Sequence, residues 1–555
     1  MSSSKTFSRS TLVQIIGRSK LAVRPEISIE LLALLSSIFF TIFSNTTFFH
    51  AVSKSGELHG FGGWLMAISL FVAIAALNTL LLCILLYRWT AKPVLIALLL
   101  ITAAAAHYMS RYTVYFDTDM IRNILQTDTK EASELITPGF ALSIVIYGVL
   151  PSIMVLRLRI RPRPFWRAVL IRTASIVAAV AVAAGAVMIS FQGLSSLMRN
   201  HKEMRYLIAP GNYLVSLAQV GLDDGVAADK TRIPVGVDAR AATRPADARP
   251  RLLVLVVGET VRAQNWGLNG YFRQTTPQLE RIKHLNFKDV TACGTSTEVA
   301  LPCMFSPYGR TDYDKDKIRR SESLLHVLER AGIKTLWRDN QSGCKGICDG
   351  LTFESFQHRK DAEICDGERC LDEVMLKGLS DVIGKNSSDM VVVLHQLGNH
   401  GPSYFKRYPQ QFRKFTPDCR TAELGKCTQE QIVNAYDNAI LYTDDFLAKT
   451  IALLSAQQSH DAAMLYVSDH GESLGESGLY LHGIPYAIAP STQVKVPMAM
   501  WLSEPFVSNR ELDMGCLFRR SELPASHDNY FHSVLGLMQV STNAYDQKRD
   551  VFNGC

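Results

Sequence analysis

Carboxylate and imidazole side chains follow three apolar runs in the C-terminal half of the chain. The runs are LLVLVV, VVVL and AAMLYVS, and the residues that come after them are Glu259, His395 and His400, Asp469 and His470, and, twelve positions later, His482. Carboxylate oxygens and imidazole nitrogens together form a mixed ligand set that Zn²⁺ accepts, and the same ligand types also suit Mn²⁺. The pattern therefore predicts a divalent metal site.

A stretch rich in hydroxyl side chains, CGTST, lies between Cys293 and Cys303. A hydroxyl is a weak nucleophile until a base or a metal takes its proton, and a divalent cation also neutralises charge on a phosphoryl group. A disulfide between the two cysteines would hold one hydroxyl towards the metal. Four candidates remain equal on chemistry alone: Thr291, Thr295, Ser296 and Thr297.

The apolar runs indicate the elements that position these residues. Uninterrupted apolar runs are typical of strands buried on both faces of a parallel sheet, and helical stretches such as residues 429–455 lie between them. We therefore predict an α/β domain with a doubly wound, mostly parallel sheet, in which ligands bind beyond the carboxyl ends of the strands. Glu472 and Glu476, in the loop GESLGESG, are interpreted as turn residues.

The N-terminal part of the chain predicts a bundle of membrane-spanning helices. Five apolar runs, each about the length needed to cross a bilayer, cover residues 27–52, 61–87, 93–112, 140–156 and 168–191. We expect three domains: a five-helix transmembrane domain in residues 1–200, a bridging helix and linker in 201–249, and a catalytic domain in 250–555. The bridge should form helical pieces interrupted at Pro210 and Gly211.

Basic residues orient this bundle. They precede the first run and lie between runs two and three and between runs four and five, from Lys5 to Arg24, at Arg88 and Lys92, and from Arg157 to Arg172. By the positive-inside rule these segments are cytoplasmic, so the C-terminal domain lies on the far side. Without them the net charge of +7 becomes negative, which gives nucleic-acid binding no support.

Cysteine usage agrees with that topology. Of eleven cysteines, only Cys83 lies in a predicted span, and eight form close pairs: Cys293 and Cys303, Cys344 and Cys348, Cys365 and Cys370, and Cys419 and Cys427. Such pairs predict disulfides in an oxidising compartment such as the bacterial periplasm. The alternative is a zinc cluster that includes Cys344 and Cys348. The sequence leaves the pairing of Cys516 and Cys555 open.

Six motifs carry a resemblance that covers nearly the whole chain. VVGET, CGTST, PCMF, WRDNQSGCKG, HQLGNHGPSYFKRYP and SDHGESLGESGLYLHG resemble the lipid A phosphoethanolamine transferases, which include the mobile colistin resistance enzymes. The resemblance implies a five-helix membrane domain and an alkaline phosphatase-like, sulfatase-superfamily domain in the periplasm.

The resemblance also implies roles for single residues. Thr297 would be the nucleophile, and the ligands of one tightly bound zinc would be Glu259, Thr297, Asp469 and His470. Two histidines match positions that bind substrate phosphate or a second zinc, namely His400 and His482. His395 would line the same pocket, Ser342 and Lys345 would contact the phosphoryl group, and the donor lipid would bind at Asn123, Thr127 and Glu131.

The implied reaction moves phosphoethanolamine from phosphatidylethanolamine to lipid A phosphates through a covalent intermediate on Thr297. The enzyme would be a monomer in the bacterial inner membrane, and its product would give polymyxin and colistin resistance. One alternative is a different acceptor: Kdo, core heptose or a periplasmic glucan. Another is a membrane-anchored phosphodiesterase or sulfatase, although CMFSP at Cys303 departs from the C/S-x-P-x-R motif of sulfatases. A binding module without activity would not need this metal constellation.

Overall fold

A computed structural model describes residues 25–55, 58, 60–227, 232–243, 248–357, 359, 361, 363–366 and 369–555. The basic residues between Lys5 and Arg24, on which part of the topology prediction depends, lie outside the described residues. The chain divides into two compact units. One contains the described residues of Met1–Ser110 and Gly139–Leu214, and the other contains Arg111–Pro138 and Val215–Cys555.

The first unit contains the apolar helices. Four described helices are long and apolar enough to cross a membrane: Gly60–Leu85, Ala91–Tyr112, Pro138–Arg157 and Phe165–Ile189. A fifth candidate is the pair Ile29–Ser44 and Thr46–Lys54, which is bent by 52° at Asn45. Large apolar side chains such as Leu170 and Val177 are exposed, as suits a surface that faces lipid. All five predicted runs are therefore helical, and the first is broken.

Shorter helices follow the last of these spans. Phe191–Asn200 is α-helical, Lys202–Leu207 is a 3₁₀-helix, and a further α-helix covers Gly211–Ala227. Proline at position 210 lacks a backbone N–H and fixes φ, so it is a poor residue for a helix interior. The bridge thus consists of helical pieces that are interrupted near Pro210.

An eight-stranded sheet forms the centre of the second unit. We number its strands β1 Arg251–Gly258, β2 Leu285–Thr291, β3 Lys334–Asp339, β4 Phe353–Ser355, β5 Met390–His395, β6 Asp461–Ser468, β7 Lys495–Leu502 and β8 Ala525–Ser526. Their order is β8-β2-β7-β6-β1-β5-β3-β4, and only β7 runs antiparallel to its neighbours. The three predicted strands β1, β5 and β6 are adjacent, parallel and buried throughout, which confirms the mostly parallel sheet.

The register of these strands sets the position of the site. Val257 in β1 pairs with His395 in β5, and Gly258 pairs with Ser468 in β6. Glu259 and Asp469 each follow directly, so the three carboxyl ends are level at one edge of the sheet. Asp339, the last residue of β3, pairs with His395 and extends this edge by one strand.

Four helices of the second unit matter for the site. They are α1 Thr118–Gln126, α2 Thr129–Glu134, α3 Thr297–Met304 and α4 Gln429–Ser455. Asp117 and Asp128 cap α1 and α2 through their carboxylates, which accept hydrogen bonds from backbone N–H groups of the first turns. The remaining α-helices are Lys315–Arg320, Leu324–Arg330, Leu379–Gly384, Ser491–Val494, Glu504–Asn509, Met514–Ser521 and Tyr530–Leu537.

Ten of the eleven cysteines form disulfides. Each of the four close pairs is bonded, and a fifth bond joins Cys516 to Cys555, the pair that the sequence left open. Cys83 is free and buried. Since Cys344 and Cys348 are bonded to each other, the structure does not support a zinc cluster there.

Candidate active site

Glu259, Asp469 and His470 form a compact group of metal-ligand atoms at the carboxyl edge of the sheet. All three side chains are buried, and one ligand atom from each lies within 4.8 Å of the others. His470 Nε2 is 3.4 Å from both Glu259 Oε1 and Asp469 Oδ2. Because His470 Nδ1 donates to the Gly471 carbonyl at 2.9 Å, Nε2 presents its lone pair to the carboxylates.

The group has the chemistry of a cation site. Glu259 Oε1 and Asp469 Oδ2 are buried and accept no hydrogen bond from any residue that the structure describes, and buried polar atoms of this kind need an explanation. Burial, with Asp469 beside it, raises the pKa of Glu259 well above its usual range, and burial lowers the pKa of His470 to about 4. A divalent cation would offset both penalties, and two carboxylates with one imidazole suit Zn²⁺.

Among the four candidate hydroxyls, Thr297 contacts this metal group. It is the first residue of α3, its side chain is buried, and its Oγ1 donates to Glu259 Oε2 at 2.9 Å and lies 3.4 Å from His470 Nε2. Thr295 instead donates to the Ile484 carbonyl at 2.7 Å, and Thr291 accepts from Lys495 Nζ. Ser296 makes no capping bond to α3.

The disulfide loop that carries Thr297 is fixed at both ends. Cys303 belongs to α3, and its bond to Cys293 ties the preceding loop to the helix. The Cys293 backbone N–H donates to His527 Nδ1 at 3.1 Å, and His527 Nε2 donates to the Ser468 carbonyl at 3.0 Å. His527 therefore links the loop to the residue before Asp469, and burial lowers its pKa to about 4, which keeps the ring neutral.

Two further histidines lie beside the metal group, each bound to a glutamate. The His482 ring centroid is 4.4 Å from that of His470 and 5.6 Å from that of His400. His400 Nε2 is 2.9 Å from Glu131 Oε1, and His482 Nδ1 is 2.8 Å from Glu472 Oε2. Burial opposes ionisation of Glu131, yet the charge and hydrogen bond of His400 lower its pKa to about 2.

The interpretation of both glutamates in the GESLGESG loop as turn residues is wrong for Glu472. Glu472 is fully buried rather than a turn residue, and it accepts hydrogen bonds from Tyr404 at 2.6 Å and from His482. Although burial opposes it, the Glu472 carboxylate raises the pKa of His482. Glu476 does accept the Leu474 backbone N–H within the turn, and it also binds Arg262 at 2.7 Å.

Ser342 and Lys345 reach the metal group through a chain of hydrogen bonds. Lys345 Nζ donates to Ser342 Oγ at 2.8 Å, and Ser342 Oγ donates to Gln341 Oε1 at 2.8 Å. Gln341 Nε2 then donates to Glu259 Oε2 at 2.8 Å. The structure thus brings both predicted residues to the site, and Gln341, which the sequence interpretation missed, connects them to it.

His395 lies one strand away from the metal group. Its Nδ1 is 2.7 Å from Asp339 Oδ1, and its Nε2 is buried with no hydrogen-bond partner among the described ranges of the chain. Asp339 also accepts hydrogen bonds from Trp337 Nε1 and from the Gly343 backbone. These contacts fix the orientation of the imidazole at the edge of the sheet.

The three predicted donor-lipid residues differ in what they contact. Glu131 binds His400, as described above. Asn123 lies in α1 and Thr127 follows its last residue, and Thr127 Oγ1 donates to the Asn123 carbonyl at 2.7 Å. Glu131 thus contacts a predicted site residue outside this group of three, whereas Thr127 bonds to Asn123 within it.

Comparison with known proteins shows the family to which the chain belongs. The sulfatase family matches residues 251–540, and the family described as phosphoethanolamine transferase EptA/EptB matches residues 74–224. Phosphoethanolamine transferase EptA of Escherichia coli (strain K12) is 36% identical over 540 residues, which cover 97% of this chain and 98% of the relative. The chain belongs to the phosphoethanolamine transferases. Phosphatidylethanolamine transferase Mcr-1 of Escherichia coli is 41% identical over 520 residues. The aligned residues cover 91% of this transferase and 94% of Mcr-1.

A solved structure of a relative has the same fold over nearly the whole transferase. The integral membrane protein lipooligosaccharide phosphoethanolamine transferase A of Neisseria meningitidis superimposes with a TM-score of 0.91 at 37% identity. The match covers 96% of the transferase and 99% of the relative. The predicted fold class, apolar N-terminal helices with a C-terminal alkaline phosphatase-like domain, is confirmed.

Proposed function

We propose that this transferase moves phosphoethanolamine from phosphatidylethanolamine to a phosphate of lipid A, through a covalent intermediate on Thr297. The observation that carries the proposal is the position of Thr297 Oγ1, hydrogen-bonded to Glu259 and within 3.4 Å of His470 Nε2. The names of relatives support the substrates: Mcr-1 is a phosphatidylethanolamine transferase, and a 26% identical relative is a Kdo(2)-lipid A phosphoethanolamine 7''-transferase.

Glu259, Asp469, His470 and Thr297 would hold the metal. When bound, Zn²⁺ supplies Lewis-acid chemistry, since it lowers the pKa of a coordinated hydroxyl and neutralises charge on a phosphoryl group. A cation is expected here because Glu259 Oε1 and Asp469 Oδ2 are buried and have no hydrogen-bond donor among the described residues. With His482 acting as an acid, one zinc suffices, and a second zinc at His400 and His482 is the alternative arrangement.

In the first half-reaction, Thr297 Oγ1 attacks the phosphorus of phosphatidylethanolamine. Its proton leaves along the hydrogen bond to Glu259 Oε2. The bond between phosphorus and the glycerol oxygen breaks, and that oxygen takes a proton from His482, whose protonated form Glu472 stabilises. The products are diacylglycerol and a phosphoethanolamine ester of Thr297, as covalent catalysis in two steps requires.

In the second half-reaction, an oxygen of a lipid A phosphate attacks the phosphorus held on Thr297. The bond to Oγ1 breaks, and Oγ1 recovers its proton. The new bond joins two phosphorus atoms through an oxygen, so a phosphomonoester of about −1.5 to −2 charge becomes a diphosphate diester with about −2 on its phosphates and about +1 on its ammonium, a net charge of about −1. The modified surface attracts cationic peptides less strongly, which accounts for resistance to polymyxin and colistin.

This function places the catalytic unit in the periplasm and the apolar helices in the inner membrane. Phosphatidylethanolamine and lipid A are both membrane lipids, so the reaction needs an enzyme held at the bilayer. A Kdo acceptor is the second candidate, because two relatives named Kdo(2)-lipid A phosphoethanolamine 7''-transferase, from Salmonella typhimurium and Escherichia coli, are each 26% identical to this chain and cover 79% of it.

The covalent intermediate provides the test. Purified full-length protein incubated with phosphatidylethanolamine and no acceptor should gain a phosphoethanolamine ester that peptide mass spectrometry maps to Thr297. Thr297→Ala should lose the ester and the modification of lipid A, whereas Thr295→Ala, whose hydroxyl bonds the Ile484 carbonyl, should keep both. An ester on Thr295 or Ser296, or full modification of lipid A by Thr297→Ala, would contradict the proposal.

A further inference from the structure

A closed network of hydrogen bonds joins α2 to the loop after β5. It consists of Glu131 and Glu134 from α2 and His400 and Arg407 from the loop, and we call it the carboxylate–arginine network. Glu131 Oε1 is 2.9 Å from His400 Nε2. The backbone carbonyl of His400 accepts from Arg407 Nε at 2.7 Å. Arg407 Nη2 donates to Glu134 Oε2 at 2.6 Å and Nη1 donates to Oε1 at 3.3 Å. Because Glu134 lies one helical turn after Glu131, the network closes on itself.

The ion pair inside this network is buried. The side chains of Glu134 and Arg407 are 5% and 1% exposed, and Arg369 Nε lies 3.1 Å from Glu134 Oε1. A buried ion pair contributes little net stability compared with apolar residues, because desolvation offsets the attraction between the charges. The pair does fix the position of α2 relative to the loop after β5, since a guanidinium binds a carboxylate in a planar arrangement with defined geometry.

Arg407 has a particular place in that arrangement. One edge of its guanidinium binds the helix that carries Glu131, and its Nε binds the backbone of the residue that Glu131 contacts. A shift of α2 by one ångström would therefore strain both ends of the Glu131–His400 contact. Displacements of this size in a binding site cost about 100-fold in rate.

We propose that Glu134 and Arg407 are positioning residues, which hold the Glu131 carboxylate and the His400 imidazole in register for the donor headgroup. The inference rests on the proposed function, together with the family resemblance, which implies that Glu131 binds the donor lipid and His400 the substrate phosphate. Neither Glu134 nor Arg407 touches the reacting atoms in this account. Both act through Glu131 and His400.

The chain offers a matched control for the stability of a buried pair. Arg251 Nε and Nη2 bind Asp389 Oδ2 at 3.0 and 2.7 Å, and these side chains are 5% and 8% exposed. Arg251 is the first residue of β1 and Asp389 directly precedes β5, so the pair lies at the amino end of the strands, away from Glu259. Asp389→Asn therefore makes the same chemical change as Glu134→Gln at a distant place.

The experiment measures diacylglycerol release by the purified full chain in detergent over a range of phosphatidylethanolamine concentrations. Glu134→Gln should raise the KM for the donor and lower kcat/KM by about 10- to 100-fold. Asp389→Asn should lower the melting temperature about as much as Glu134→Gln does. It should nevertheless change kcat/KM by no more than about twofold. In a Glu131→Gln background, Glu134→Gln should have no further effect, because it acts through Glu131.

Other outcomes separate this inference from the proposed function. An unchanged KM with a lowered kcat in Glu134→Gln, or effects that multiply in the double variant, would overturn the positioning role alone. A wild-type enzyme that releases no diacylglycerol and forms no ester would overturn the proposed function and this inference together. If Glu134→Gln does not fold, the Arg407→Lys variant is measured in its place. Lysine keeps the positive charge but lacks the planar guanidinium with its two parallel N–H donors, so the KM for the donor should rise in the same way.

Discussion

Thr297 and Thr295 show how neighbours, rather than residue type, determine reactivity. Both are buried threonines, two residues apart in one disulfide-bonded loop. Thr295 donates to a backbone carbonyl, which is too weak a base to take its proton, whereas Thr297 donates to a carboxylate. The carboxylate and the nearby imidazole make Thr297 the hydroxyl that base or metal chemistry can activate.

Removal of one ligand should empty the metal site without unfolding the protein. We expect full-length Asp469→Ala to lose zinc, because the site loses one of its two carboxylates and keeps only Glu259, His470 and the hydroxyl of Thr297. Elemental analysis of the purified variant measures this. Glu298→Gln is the control, since Glu298 is a buried carboxylate next to Thr297 that binds Arg319 instead.

Chelation should also destabilise the wild-type protein. Without a cation, the buried carboxylates of Glu259 and Asp469 remain side by side, and the free energy of metal binding to the folded state is lost. At a free metal concentration 100 times the Kd, that loss is about 2.7 kcal/mol. A chelator should lower the melting temperature of the wild type and leave that of Asp469→Ala unchanged, and an equal decrease in both would contradict the site.

At the scale of elements, α4 holds the connection that precedes β2 through a bond whose strength depends on pH. Asp444, in the middle of α4, accepts the backbone N–H groups of Gln278 and Leu279 at 2.7 and 3.0 Å. Burial raises the pKa of Asp444 from its ordinary 3.8 to about 7. The folded protein therefore retains a proton on Asp444 at a pH where the unfolded chain has lost it.

The sign of this shift predicts how stability changes with pH. A pKa that is raised in the folded state stabilises the protein below pH 3.8, and the contribution disappears as pH rises through about 7. Between pH 5 and pH 8 the wild type should lose about 3 kcal/mol relative to Asp444→Asn, which has no proton to release. Thermal unfolding of both proteins across this range measures the difference, and parallel melting curves at every pH would refute it.

At the scale of the whole molecule, topology decides whether the site can meet its substrates. Basic residues between the described spans, such as Arg88, Lys92 and Arg157, predict that these connections are cytoplasmic. A reporter that is active only in the periplasm should therefore be active when fused to the C-terminus. Activity only of a cytoplasmic reporter at that place would overturn both the topology and the proposed substrates.

Local patterns predicted the parts of the molecule that local forces form. Apolar runs located the spans and the central strands, and close spacing located four disulfides. The sequence did not predict the roles of Glu472, His527 or the Cys516–Cys555 bond, because each depends on a partner that the folded chain brings from elsewhere. Glu472 illustrates the reason: a loop rich in glycine and acidic residues suits an exposed turn, and only its contacts with Tyr404 and His482 show that it is buried.

The catalytic unit is not one continuous piece of sequence, since it includes Arg111–Pro138, a segment that lies between two apolar helices along the chain. Chimeras between family members must respect this. A hybrid that grafts only residues 215–555 onto the helices of a relative would present His400 and Arg407 to a foreign α2 and would lose their contacts with Glu131 and Glu134 of this chain. Domain exchange should therefore succeed when residues 111–138 move together with the C-terminal part, so that the graft takes two pieces of gene rather than one.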